Sequence, residues 1–307
     1  MDLATPRVLA MHIDMYVALA GLIVGFAVGL TGMGGGSLMT PILILLFSVQ
    51  PIAAVSSDLV ASLIMKPFGA AVHLRERTVN WSLVRWLSLG SVPGAFAGVL
   101  LLHRLGRGTA IQNAVQLALG IVLLVSVAAV AVRWLLERNR TRSAATGSGS
   151  AFRARPLSTL LIGATVGFIV GITSTGSGTL IIVALLLLYP QLRGSQTVGT
   201  DLTQAVPMVG AAALAHILFG DFKLSLTLSI IIGSIPGVLI GSSISARSGT
   251  RLLRVALCTV LLLSGLKLVN VPTVGLGVAL LIAIVAIGTG WAVSRVARRP
   301  EVRRQAA

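Results

Sequence analysis

Charge and sulfur are what this sequence has least of. One cysteine, eight acidic residues and three lysines are spread over 307 positions, and only 10% of residues are charged. A single cysteine excludes an internal disulfide and any thiolate cluster for a metal, and Cys258, set in an apolar run, reads as packing. So little charge excludes an ordinary soluble domain, where about a quarter of the residues are charged. Acids, bases and nucleophiles are nowhere clustered and no metal-ligand spacing occurs. The glycine-rich stretch 31–37 lacks the lysine that a phosphate-binding loop requires. These absences argue against an enzyme, and no cofactor is expected.

What is present is apolar. Of all residues 55% are hydrophobic, and uncharged runs such as 121–132, 181–188 and 273–287 cover much or all of the roughly 20 residues a helix needs to cross hydrocarbon. The solvent for most of the chain is lipid. The net charge of +16 comes from arginines lying between hydrophobic segments, chiefly in 133–155 and 295–304. That placement is the positive-inside pattern and not a phosphate groove, so the expected partners are a bilayer and a small molecule, with no nucleic acid. Monomer and homodimer both stay open. Asp2, Arg7, His12 and Asp14 precede the first hydrophobic run, which argues for a retained N-terminus rather than a cleaved leader.

The two halves of the chain are related. Val24-Gly25-Phe26 recurs as Val166-Gly167-Phe168, and Gly29, Thr31, Gly34 and Gly36 recur as Gly171, Thr173, Gly176 and Gly178, a constant offset of 142 positions. One residue further on in offset, Asp58-Leu59 returns as Asp201-Leu202, His73 as His216, and Gly90-Ser91-Val92-Pro93-Gly94 as Gly233-Ser234-Ile235-Pro236-Gly237. Register kept through four segments marks an internal repeat.

Each half reads as five apolar segments: 16–31, 36–48, 52–74, 80–102 and 109–136, then 157–173, 178–189, 197–218, 223–245 and 250–269, with a further segment at 273–294. Five crossings per repeat would make the second repeat enter from the opposite side. The expected fold is therefore an all-α polytopic membrane protein of two inverted repeats with short re-entrant or broken helices, plus a C-terminal helix. In domain terms, 1–136 is the first transmembrane repeat and 137–156 a cytoplasmic basic linker expected to be a loop. Residues 157–270 form the second repeat, and 271–307 the final helix and basic tail. Placing the linker inside also places Arg75, Arg77, Arg193, Arg247, Arg251 and the tail inside, against Arg104 and Arg107. A bacterial inner membrane with the N-terminus outside and the C-terminus cytoplasmic follows.

Segments 36–48 and 178–189 are too short to span. Each follows a glycine-rich turn, Thr31-Gly32-Met33-Gly34-Gly35-Gly36-Ser37 or Thr173-Ser174-Thr175-Gly176-Ser177-Gly178-Thr179. A helix N-terminus offers free N–H groups and partial positive charge, so the paired turns suggest an anion cradle at the repeat interface. Close helix packing through small residues is the competing reading.

The run Gly29-Leu30-Thr31-Gly32-Met33-Gly34-Gly35-Gly36, followed by Pro41, resembles the glycine signature of the TauE/SafE sulfite exporter family over roughly residues 20–270. In the second copy Ser174 and Ser177 stand where the first has glycine, and Val183 replaces Pro41. The resemblance implies a secondary transporter, often an exporter, of sulfite, thiosulfate or small organosulfonates.

Few polar groups fall inside the apolar segments. Lys66 does, and an ammonium at that depth costs a few kcal/mol unless paired or hydrated. It reads as a counter-charge to the anion or as an interhelical ion pair, and the adjacent Pro67 predicts a broken helix. Asp58 and Asp201 are repeat-related and read as proton-coupling groups or as helix N-caps after Ser56-Ser57 and Gly199-Thr200. His73 is a further proton-coupling candidate, with His216 its repeat mate; a structural role competes for both. Gln204 offers an amide to a sulfonyl oxygen across from Lys66. The expected substrate-binding set is Thr31, Gly32, Gly34, Gly35, Gly36, Ser37, Lys66, Thr175, Gly176, Ser177, Gly178, Thr179 and Gln204, with no metal. These expectations describe an alternating-access exporter coupled to the proton gradient; a gated anion channel with the glycine turns as its filter is the alternative.

Overall fold

The computed structural model describes residues 14–31, 36–143, 155–192, 194–219, 222–245, 251–272 and 275–277. Among them the regular elements are helices: α1 (Met15–Thr31), α2 (Gly36–Leu45), α3 (Pro51–Arg75), α4 (Trp81–Leu105), α5 (Thr109–Ser143), α6 (Pro156–Thr173), α7 (Ser177–Leu188), α8 (Gly194–Phe219), α9 (Leu224–Ser245) and α10 (Arg251–Leu268). Stretches of α3, α4, α5, α6, α8 and α9 are long and apolar enough to cross a bilayer, so the chain is a multi-pass membrane protein. Leu161, Ile121, Val125, Ile232 and Leu239 are exposed on these helices, as a lipid solvent requires. In contrast, α2 and α7 have 10 and 12 residues; at 1.5 Å per residue that is about 15 and 18 Å, roughly half the hydrocarbon core.

Local chemistry accounts for the helix ends. Pro51 and Pro156 begin α3 and α6, where a missing N–H costs nothing and the fixed φ suits a helix. Asn80 caps α4, its side chain accepting from the Leu83 N–H at 3.3 Å. α6 ends at Ser174 with φ 59° and α7 follows Gly176 with φ 102°. Two left-handed residues in three turn the chain sharply, and a glycine adopts that conformation without a Cβ penalty.

Three expectations change. α3 runs unbroken through Pro67, because a proline in a membrane helix forfeits a backbone bond that neighbouring helices and polar groups replace. Asp58 and Asp201 lie well inside α3 and α8 rather than at their starts, so neither is an N-cap. α5 continues to Ser143, so the first part of the expected linker, 137–143, is helix, in keeping with its Glu, Arg and Asn run following Leu135-Leu136. Residues 144–154 lie outside the described residues, as does the expected final segment 273–294 apart from 275–277.

The halves interlock. α1 of the first half packs along α9 of the second, and α6 of the second along α4 of the first; α5 touches α7 as α10 touches α2, and α3 meets α8. Each pairing has its counterpart when the halves are exchanged. Glycines four apart make the two tightest seams. A β-carbon at Gly21 would stand 2.8 Å from the Ile230 carbonyl oxygen, and one at Gly25 2.8 Å from Ser234 Cα. On the other seam, one at Gly167 would stand 2.6 Å from Ser91 Cα and one at Gly90 2.8 Å from the Ala164 nitrogen. Close packing by small residues is therefore the role of the glycines within α1, α4, α6 and α9. Gly94 and Gly237 belong to the same seams, against Ala164 and Leu22, so the Pro-Gly pairs serve packing. Gly167→Val is expected to push α4 off α6 and cost about 3 kcal/mol, the upper range for overpacking. The check is a lowered melting temperature and lost monodispersity on size-exclusion chromatography in detergent.

Candidate functional site

The shortest helices bring the polar residues together. The α6–α7 turn lies against the start of α2: Thr175 Oγ1 donates to the Gly36 carbonyl at 3.2 Å, and a β-carbon at Gly36 would run into the Ser174 carbonyl. Thus one glycine turn, from the second half, meets the first residue of the short helix from the other half. Gly36, Ser37, Thr175, Ser177, Gly178 and Thr179 are all buried there. Thr31 closes α1, whereas Gly32, Gly34 and Gly35 lie outside the described residues.

Asp58, from α3, reaches this junction. Its Oδ2 accepts from Thr40 Oγ1 at 3.1 Å and from Ser174 Oγ. Two hydroxyls, one from each half, therefore hold a carboxylate that is 1% exposed, which is how a buried charge is tolerated. Neither partner stood out in the sequence. The only signal for Ser174 is a hydroxyl where the first copy has Gly32, and nothing distinguishes Thr40 from other threonines in apolar segments.

Lys66 lies two turns further along α3 and donates from Nζ to Ser177 Oγ at 2.9 Å. Ser177 is the first residue of α7, and Gly176 before it is the N-cap, so the ammonium stands beside a helix N-terminus. It interacts electrostatically with both Asp58 and Asp201. Thr179 Oγ1 donates to Ser126 Oγ of α5 at 3.0 Å, which anchors the first turn of α7. At its other end α7 is pinned by Tyr189, whose hydroxyl shares a 2.6 Å bond with Thr159 Oγ1 and accepts from the Arg155 N–H at 2.8 Å.

Gln204 is buried and hydrogen-bonded to two protein groups. Its Oε1 accepts from Ser91 Oγ at 3.1 Å and its Nε2 donates to Asp201 Oδ1 at 3.4 Å. The amide ties α4 to α8 and orients Asp201. Symmetry is broken at each of these positions, since Lys66 corresponds to Val209 and Gln204 to Ala61.

The two histidines part company. His73 lies near the C-terminal end of α3, its Nδ1 3.0 Å from Thr78 Oγ1, and fifteen residues of helix, about 22 Å at 1.5 Å per residue, separate it from Asp58. It packs instead against the first turns of α8, where a β-carbon at Gly199, two residues before Asp201, would stand 3.2 Å from His73 Nδ1. His216 is 1% exposed; its Nε2 lies 2.9 Å from the Gly171 carbonyl and its Nδ1 2.8 Å from Ser56 Oγ. A carbonyl only accepts, so Nε2 carries the proton and His216 satisfies one of the open carbonyls at the end of α6. It thereby braces the residues just before both Ser174 and Asp58. The same histidine lines a shallow surface cleft with His103, Arg107 and Phe219.

Comparison with known proteins agrees with this architecture. Residues 17–268 match the family described as Sulfite exporter TauE/SafE. The Bacillus subtilis protein named "Probable membrane transporter protein YjnA" is 41% identical over 258 residues, 82% of this chain and 98% of that protein. A second Bacillus subtilis protein, "Probable membrane transporter protein YdhB", is 22% identical over 242 residues, 74% of this chain and 89% of the relative. A third, "Probable membrane transporter protein YunE", is 35% identical over 97 residues, about a third of each chain. No solved structure shows significant similarity. With most of its length matched by the family and nearly all of one relative aligned to it, the chain belongs to the TauE/SafE sulfite exporter family.

Proposed function

We propose that the protein is a secondary transporter of small sulfur-containing anions, sulfite or organosulfonate, exporting them by alternating access across a bacterial inner membrane. One observation carries the reading: Lys66, a cation inside a spanning helix, donates to Ser177 at the first residue of the half-length helix α7. An ammonium supplies three donors and no acceptor, and the helix end adds N–H groups and partial positive charge. That combination suits a compact, oxygen-rich anion. Ser57 Oγ, buried without a hydrogen-bond partner among the described residues, is a further donor on the same helix. The family's name and those of its relatives point the same way: the family is named for sulfite export, and YjnA for membrane transport.

The substrate set is Lys66, Ser177 and the surrounding turn residues Gly36, Ser37, Thr175, Gly176, Gly178 and Thr179, with the first glycine turn completing it. Asp58 and Asp201 couple the cycle to the proton gradient. Inverted halves rock about their shared centre and open the site to each side in turn, with the basic linker and tail in the cytoplasm and the N-terminus outside.

The test is tracer flux in proteoliposomes holding sulfite, thiosulfate or methanesulfonate. Saturable flux accelerated by the same anion on the opposite side is the expected result. Flux that rises without saturating would identify a gated channel instead, and absence of flux for every sulfur anion would remove the substrate assignment.

A further inference from the structure

The first described turn of α2 already has a carboxylate against it. Asp58 Oδ2 accepts from Thr40, one turn into α2, and from Ser174 in the facing turn. The same oxygen lies 2.9 Å from where a β-carbon of Gly36, the first residue of α2, would stand. A carboxylate therefore occupies the place where a helix end and two hydroxyls would otherwise receive a ligand. We propose that Asp58 is the built-in counter-anion of this cradle, and that a sulfur anion binds only as Asp58 takes up one proton, so that proton and anion occupy the site together. This rests on the anion-site reading above and adds to it the sense of the coupling.

The charges around Asp58 leave it this role. On α3 itself stand Lys66 and, at the far end, His73 and Arg75; α8 brings Asp201 and His216; α5 carries Arg133 and, towards its C-terminal end, Glu137, Arg138, Arg140 and Arg142; α2, α6, α7 and α9 carry no ionisable side chain within their spans. Lys66 is hydrogen-bonded to Ser177. Among the described residues, the hydrogen bonds to Asp58 come from two hydroxyls, whereas Asp201 has the Gln204 amide of its own helix. A second full negative charge beside it is opposed by like-charge repulsion in a medium that screens poorly, and a proton on Asp58 removes that repulsion. The proton comes from the solution the site faces and returns to solution with the anion on the other side. Anion and proton then travel in the same direction, and an outward anion gradient drives export.

Calorimetric titration of the purified protein with thiosulfate, and separately with methanesulfonate, tests this. Both probes stay ionised between about pH 5 and pH 8, and repeating each titration in buffers of different ionisation heat counts the protons exchanged. One proton taken up per anion bound is expected, with affinity falling about tenfold per pH unit on the alkaline side. Asp58→Asn should bind with no linked proton and a flat pH profile, while Gly108→Ala, whose β-carbon position has nothing within 4 Å, keeps the linkage. The inference is overturned if the unmodified protein binds the anion with no proton uptake, with proton release, or with a sodium requirement in its place. Linkage that survives in Asp58→Asn overturns it too. The count on the unmodified protein needs no variant, so a misfolded mutant does not blunt the test. If no sulfur anion binds or is carried at any pH, the substrate reading fails and this inference with it; binding without proton uptake leaves that reading intact.

Discussion

Lys66→Met should lower sulfur-anion flux by about a hundredfold while leaving the protein folded. The reasoning is electrostatic. Truncating one partner of a buried charge contact costs about 3 kcal/mol, and each 1.36 kcal/mol is about a factor of ten in kcat/KM. Methionine keeps the length and apolar stem of lysine, so the packing of α3 survives and only the ammonium is lost. The structural alternative, in which Lys66 merely balances Asp201, makes a different prediction. It would show as a lowered melting temperature with unchanged flux per folded molecule, since the lost partner would strand a buried carboxylate. Flux and thermal stability measured on the same preparation separate the two. Arginine should not restore activity: its planar fork is wider than an ammonium and cannot repeat a single 2.9 Å bond to Ser177 Oγ in the same space.

Gly36→Ala should abolish transport as completely, for a steric reason. The added β-carbon would meet the Ser174 carbonyl, stand 2.7 Å from Ser174 Oγ and 2.9 Å from Asp58 Oδ2. Backbone cannot yield as a flexible side chain does, so α2 must withdraw from the α6–α7 turn, and the Thr175 to Gly36 and Ser174 to Asp58 bonds are lost with it. Overpacking of this kind costs about 3 kcal/mol, which is expected as a drop in melting temperature and a loss of flux of about a hundredfold. Gly108→Ala is the matched control, because nothing lies within 4 Å of its β-carbon position. Equal flux in the Gly36 variant and the control would show that the junction of the two halves is not part of the transport path.

The residues that were legible early are those whose signal is local. Hydropathy marked the ten helices of the described residues because lipid selects apolar residues one segment at a time, and it marked α2 and α7 as too short because length along a helix is fixed by its rise. The repeat was legible because Asp58 and Asp201, or Gly90 and Gly233, keep one register. It did not carry through to chemistry: His73 and His216 are equivalent in sequence, yet only His216 is buried against Ser56 and Gly171. Asp58 resembled a cap because Ser-Ser-Asp is a capping pattern, and the start of α3 at Pro51 decided otherwise.

By itself, then, the sequence determined the solvent of the chain, its helices, the motifs that recur between its halves and the family to which it belongs, all of which follow from composition, periodicity and short motifs. Only the tertiary structure decided that Asp58 is held by Thr40 and Ser174, that Lys66 reaches Ser177, and that Gln204 serves Asp201 and Ser91. Most of these bonds join residues from different halves of the chain, brought together by glycine seams that set α1 on α9 and α6 on α4. No local pattern encodes which hydroxyl will face which carboxylate, because that depends on how closely two backbones distant in sequence approach.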